Sequence, residues 1–272
     1  MCTIGTLFNG DTMIMFKQCD LDKETFFDVP KLKQKDNIKY LAFKRADNTG
    51  TWCGVNNYGV SFVATDSYME NDINIKYHNS KKDLKDYSVF EAYEKIISDF
   101  KTAKAAVEYM KEFYNTFLSP DILIIGDKLE RYYIEAYNSE VIVVKLDSSG
   151  ISNFFVATNH FRYIHGAVHY AKNHSTYLRL NRAQEILNRE CNLRGVIKLL
   201  KDQYYGKSVL SICRSTDIAP RDEDLYSTMA TSIFTIDNEC HKIGCYYQIN
   251  GNPRKNKLIC VSDVFGSNYF SI

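Results

Sequence analysis

The chain is 272 residues long, 45% apolar and 25% charged, with a formal net charge of +1. That balance excludes a basic face for nucleic acid or for an acidic membrane surface, and the 4 prolines and 13 glycines form no linker tract between modules, so one domain over residues 1–272 is expected. No apolar run approaches the roughly 18 residues of a membrane span and no signal-peptide pattern opens the chain, so the eight cysteines are expected to stay reduced in the cytosol.

MCTIGTLFNGDTMIMFKQCDL reads as a β-hairpin over residues 2–21, turning at Asn9-Gly10 or one residue later at Gly10-Asp11. A polar stretch (Asp22 to Lys39) leads to a strand at Lys39–Phe43 and to the run Thr51–Tyr68, in which Val60 to Ala64 is a buried strand entered by a turn at Asn56-Asn57-Tyr58-Gly59. Lys76–Asp86 is polar connector. Ser88–Phe100 and Thr102–Phe117 carry apolar residues at helical spacing, with Ser88 and Thr102 as N-caps. Asp121–Asp127, Arg131–Tyr137 and Glu140–Leu146 are strands, the last two joined through Asn138-Ser139. A strand at Phe154–Thr158 precedes helices at Thr176–Arg189 and Leu193–Tyr204. Strands return at Thr228–Ile236, Lys242–Ile249 and Lys257–Val261. Alternating blocks of strands and helices predict an α+β fold with antiparallel sheets and segregated helices.

Cys2 stands directly behind the initiator methionine. Removing Met1 would put a thiol and a free α-amine on one terminal residue, the pairing an N-terminal nucleophile needs. In the Asn9-Gly10 register Cys2 pairs with Lys17. In the Gly10-Asp11 register it pairs with Cys19, and Lys17 is a diagonal neighbour on the same face. Both bring an ammonium group near the thiol, which favours the thiolate. Strict alternation puts Asp20 on the opposite face, so it reaches Cys2 only if the chain bends or bulges after Gln18.

Several segments, in order, resemble the choloylglycine hydrolase family, which contains bile salt hydrolases and penicillin V acylases within the N-terminal nucleophile (Ntn) hydrolases: MCT, FKQCD, GVNNYGVSFVATDSY and VATNHF. SICRSTDIAPRDEDLYSTMATSIFTID, running on to INGNP, resembles the related acyltransferases that act on 6-aminopenicillanic acid. The resemblance implies an αββα sandwich, two stacked antiparallel sheets flanked by helices. It implies Cys2 as nucleophile, Asp20 as holder of its amine, and Asn159 as the oxyanion-hole amide. Lys17 stands where these families have arginine, keeping the charge without the planar fork. Asp66 falls where relatives have asparagine or tyrosine. Its carboxylate would repel an oxyanion, which leaves its backbone N–H for that task and turns the side chain to substrate or amine. An S-x-x-x-R pattern, Ser175 to Arg179, offers the site arginine, with Arg182 one turn on as alternative. Tyr58, Tyr68, Phe161 and Tyr163 line the acyl pocket in this reading, and His160 is pocket lining or simple packing.

The implied chemistry is cleavage of a linear amide of an N-acyl compound through a Cys2 thioester. The α-amine, with an ordinary pKa of about 7.7–8.0, moves the proton. An amine attacking the thioester instead of water would make the chain an acyltransferase. No cofactor is implied; the partner is a small-molecule N-acyl amide, and relatives suggest a homodimer or homotetramer. Two other readings compete. Cys240-His241 and Cys245, with Cys213 and Cys260, would have to gather four ligands to hold zinc. A non-catalytic binding module on the same fold would explain the departures at Lys17 and Asp66, against an intact Cys2, Asp20 and Asn159.

Overall fold

The computed structural model describes residues 1–46, 50–67, 88–146, 153–164, 171–215 and 226–266. Its hairpin joins β1 (Cys2–Asn9) to β2 (Thr12–Asp22). Asn9 pairs with Thr12, so the loop is Gly10-Asp11 and Cys2 lies opposite Cys19. Among the turn residues only Gly10 has a positive φ, at 58°. A two-residue hairpin turn with glycine first needs just that, whereas Asn9-Gly10 would have needed both residues left-handed. Asn138-Ser139 does adopt the latter form, with φ of 50° and 66°.

Seven strands follow one another as an antiparallel meander: β3 (Lys31–Lys35), β4 (Ile38–Lys44), β5 (Thr51–Asn56), β6 (Ser61–Asp66), β7 (Asp121–Gly126), β8 (Arg131–Tyr137) and β9 (Glu140–Lys145). The hairpin belongs to a second, six-stranded sheet. With β10 (Phe154–Ala157), β11 (Tyr226–Asp237), β12 (Ile243–Ile249) and β13 (Ile259–Val261), its order is β10-β1-β2-β11-β12-β13. The edge strand β3 falls in the polar stretch from Asp22 to Lys39, in which no strand is expected. Leu32 is its one buried residue and three lysines point elsewhere, a composition that suits an edge and hides it from a search for apolar alternation.

Alternation along the hairpin sorts its side chains into two layers. Cys2, Ile4, Met13, Met15 and Cys19 face the seven-stranded sheet, packing in one core with Phe43, Trp52 and Phe62. Leu7, Ile14 and Phe16 face outward beneath α3 (Ser175–Arg189) and α4 (Leu193–Leu200), where Ile186, Leu187, Val196 and Leu199 complete a second core. Fully burying each such side chain contributes about 1.5–3 kcal/mol. On the far side α1 (Ser88–Ser98) and α2 (Ala103–Tyr114) cover the seven-stranded sheet. Thr102 caps α2 by accepting from Ala105 N at 3.3 Å. Gly54 lets α1 approach closely, since a Cβ there would meet Ile97 at 2.4 Å. α4 stops at Leu200, short of the Tyr204 expected from its periodicity, where Asp202 N turns back to Leu199 O. The layers are helix, sheet, sheet, helix. Among the described residues no helix is long and apolar enough to cross a membrane.

Candidate active site

Cys2 begins β1, the strand next to the edge strand β10 in the six-stranded sheet. Its side chain is 3% exposed, on the face between the sheets. Met1 continues the ladder: its nitrogen donates to Asp20 O at 2.7 Å, and Asp20 N donates to Met1 O at 2.8 Å. The Cys2 N–H points the other way and donates to Asn159 Oδ1 at 3.0 Å.

The orientation of the Asn159 amide follows from its neighbours. Arg179 can only donate, and its Nη2 lies 2.8 Å from the same oxygen that accepts from Cys2 N. The amide nitrogen then faces acceptors, donating to Thr65 Oγ1 and to the Asp66 carbonyl, each at 2.8 Å. Both Asn159 N–H groups are therefore engaged while Met1 is in place. Arg179, fully buried on α3, also donates to the Cys2 carbonyl and to Thr3 Oγ1 at 3.0 Å. Its Nε meets Ser175 Oγ at 3.2 Å, the i to i+4 contact that the S-x-x-x-R spacing places on one helix face. The loop after Asn159 is braced from β8 by the buried Glu135. That carboxylate accepts from the backbone N–H groups of Arg162, Tyr163 and Ile164 at 2.6, 2.9 and 2.9 Å, and from Tyr133 Oη at 2.6 Å.

On the thiol side, Lys17 is buried, donates to the Ala64 carbonyl and lies 5.0 Å from the Trp52 ring centre. Cys19, the direct cross-strand partner of Cys2, is the largest influence holding the Cys2 thiol well below the ordinary thiol range. Burial opposes it and the Lys17 charge reinforces it. The proton stays on Cys19, whose thiol is pushed well up. Burial lowers the Lys17 ammonium, but Cys2, Cys19 and Cys53 outweigh it and leave it raised. Asp66 acts on this group as a nearby negative charge that disfavours the thiolate.

Asp20 stays on the face that alternation gives it. The irregularity lies on the neighbouring strand, between Thr228 and Ala230, so β2 does not bend toward the thiol and the bend expected after Gln18 is absent. The fully buried Asp20 carboxylate accepts from Thr228 Oγ1 at 2.7 Å and pairs with Arg214 Nε at 3.3 Å. Burial pushes its pKa up, partly offset by Arg214, Arg179 and the Met1 ammonium. Arg214 is the residue the sequence reading missed. It too is fully buried, its Nη2 donating to Ser175 Oγ at 2.7 Å and lying 3.8 Å from the Met1 sulfur. Ser175 thus joins the two guanidinium groups. Arg179 and Arg214 lie on the Asp20 side of the sheet and Lys17 on the thiol side, three buried cations whose charge suits a thiolate and a developing oxyanion.

Other expected residues lie apart. His160 turns to α3, with Nδ1 at 3.1 Å from Thr158 Oγ1 and 2.9 Å from Thr176 Oγ1, and its ring packs on Tyr177. Burial lowers its pKa to about 4, so it is a neutral packing residue and not part of the pocket. Phe161 is buried in the larger hydrophobic core. Tyr163 is 42% exposed and stacks edge-on with Tyr133. Tyr58 sits under Lys101 in the turn before Gly59, whose contact is Ile236, the partner of Met13 at the hairpin-turn end. That end is opposite the thiol, so Tyr58 does not line its pocket. Arg182 forms ion pairs with Asp202 at 2.9 Å and Glu185 at 2.7 Å on the outer face of α3, leaving Arg179 as the arginine of this site. Tyr68 lies outside the described residues. Among the described residues no group of three or more His, Cys, Asp or Glu side chains could hold a metal ion, and Cys240 and Cys260 are exposed while Cys213 and Cys245 are buried.

No family model and no curated protein matches the chain. Solved structures do. An N-acylethanolamine-hydrolyzing acid amidase ortholog from Caenorhabditis elegans superposes with a TM-score of 0.58 at 15% identity, covering 85% of this chain and 92% of that one. Two variants of the conjugated bile acid hydrolase from Clostridium perfringens, each 12% identical, give TM-scores of 0.59 and 0.57. They cover 98% and 96% of this chain and 94% and 92% of theirs. The αββα sandwich is the fold the chain shares with them.

Proposed function

We propose that the chain is an N-terminal cysteine amidohydrolase that cleaves a linear amide of an N-acyl compound once Met1 is removed. The observation that carries this reading is the convergence on Cys2: its nitrogen is held by Asn159 Oδ1 at 3.0 Å, and its thiol lies between Cys19 and a buried Lys17. With Met1 attached, that nitrogen is an amide and cannot take a proton. Freed, it becomes an amine in the same place, and Asn159 Oδ1 accepts one of its hydrogens.

The Cys2 thiolate attacks the acyl carbon. The oxyanion takes an N–H from Asn159, which gives up its bond to Thr65 Oγ1. The α-ammonium delivers its proton to the leaving amine, and the freed α-amine then activates water against the thioester. Arg179 positions two of these parts, the Cys2 carbonyl and Asn159 Oδ1, and Arg214 holds Asp20 beside the space Met1 occupies. The neighbours' printed activities, on an N-acylethanolamine and on conjugated bile acids, support an N-acyl amide as the substrate class.

The test is turnover of a panel of N-acyl amides, with and without an acceptor amine. Release of free acid and amine, lost in Cys2→Ser, supports the proposal. Product made only when an acceptor amine is added would reassign the chain to acyl transfer. Full activity in Cys2→Ser would overturn both.

A further inference from the structure

Apart from its influence on the Cys2 thiol, Cys19 takes part in none of the bond-making steps just described. Met1 and Asp20 exchange both backbone hydrogen bonds. The next pair along the ladder, Cys2 and Cys19, is then of the non-hydrogen-bonded kind, with Cα atoms about 4.5 Å apart and side chains at their closest. Disulfides span Cα separations of about 4.4–6.8 Å. Both side chains point between the sheets, 3% and 2% exposed. A narrow cavity of about 10 Å³, lined by Lys17, Cys19, Trp52, Cys53 and Phe43, reaches the Cys19 side of the pair. Cys53 is otherwise engaged, on Ser232 Oγ at 3.2 Å in the facing sheet, with burial pushing its thiol up to about 11.

We propose that Cys19 is a resolving thiol for Cys2, so that hydroperoxides convert the pair into a reversible Cys2–Cys19 disulfide that silences the nucleophile and spares it irreversible oxidation. The Cys2 thiolate attacks one peroxide oxygen. The S–O bond forms, the O–O bond breaks, and hydroxide or alkoxide leaves with a proton as water or alcohol. Sulfur has lost two electrons and the peroxide has gained them. Cys19 then gives up its proton and its sulfur attacks that of Cys2. The S–O bond breaks and water departs. The order of events follows from the electrostatics. While Cys2 is a thiolate, Cys19 keeps its proton. Sulfenic acid formation removes that negative charge, and Lys17 then favours ionisation of Cys19. The pair exists whether or not Met1 has been removed, so this proposal stands apart from the amidohydrolase reading.

Trypsin cuts after Lys17 and Lys23, placing Cys2 on the peptide ending at Lys17 and Cys19 on Gln18–Lys23. Reduced protein is treated with hydrogen peroxide, digested without reductant and mapped by mass. The expected result is the two peptides joined with loss of two hydrogens, disappearance of Cys2 labelling by iodoacetamide, and full recovery after dithiothreitol. In Cys19→Ala and Cys19→Ser, Cys2 should pass to sulfinic and sulfonic acids that dithiothreitol does not reverse. Wild-type Cys2 overoxidised beside a free Cys19, or linked to Cys53, would overturn the proposal, and so would recovery by dithiothreitol in both variants.

Discussion

Replacing Lys17 by methionine removes the cation of the thiol pair while keeping a side chain of similar length. Lys17 is two residues along β2 from Cys19, the direct partner of Cys2, which places its Cβ about 7 Å from that of Cys2. Taking that separation for the charges and an effective dielectric of about 20, the attraction between thiolate and ammonium is ~2.4 kcal/mol, or about 1.7 pH units. Removing the cation raises the thiol pKa, so less thiolate is present at neutral pH. The assay is the rate of Cys2 alkylation by iodoacetamide against pH, read on the peptide containing Cys2 so that other thiols do not count. The midpoint should rise by roughly 1–2 units in Lys17→Met. Thermal denaturation of the same sample shows that the fold survives the loss of the bond to the Ala64 carbonyl. A midpoint that stays in place, or moves down, in a folded variant would refute Lys17 as the counterion of the nucleophile.

Arg179→Leu takes a charged donor from the Cys2 carbonyl and from Asn159 Oδ1, each worth about 1.5–3 kcal/mol, and lets the amide turn over. Steady-state kinetics on a substrate from the panel should show kcat down about 100-fold with KM nearly unchanged, and Arg179→Lys should not rescue it. A loss confined to KM contradicts the positioning role. Arg214→Leu strands the buried Asp20 carboxylate and should cost about 3–5 kcal/mol in denaturant unfolding. Adding Asp20→Asn should recover part of that loss, and simple additivity of the two would contradict the pairing. His160 is held neutral, its pKa lowered from 6.5 to about 4. A depressed histidine pKa gives stability that is full above pH 6.5 and is lost as pH falls toward 4. The thermal midpoint of His160→Gln should therefore fall less steeply over that window than wild type, and equal slopes would disprove the assignment.

Much of the fold was legible because its signals are local. Asn138-Ser139 announced its turn, Thr102 its cap, and the 3.6-residue spacing of Val89, Ile96 and Ile97 its helix. The hairpin was legible but its register was not: FNGD offers two turns, and the choice depends on which residue takes the left-handed conformation. Cys2, Lys17 and Arg179 converge as the sequence implied, but Arg214 was hidden. An arginine in SICRST carries no local sign of burial. Only the tertiary fold brings it to Asp20 and Ser175, residues 194 and 39 positions away in the chain. Asp20 misled for the opposite reason. A role taken from a resemblance prompted a bend toward Cys2, whereas the plain period-2 argument had placed it on the other face, where it lies. Glu135 reads as one polar residue in RYYIEAY, and its three backbone partners lie 27 to 29 positions on.

The most direct test of the nucleophile is intact mass spectrometry of the purified protein during turnover of an N-acyl amide, quenched in acid. The predicted result is a chain that has lost Met1 and carries one acyl group, mapped as a thioester to Cys2 and absent in Cys2→Ala. An active protein that retains Met1, or an acyl group found on any other residue, would contradict it.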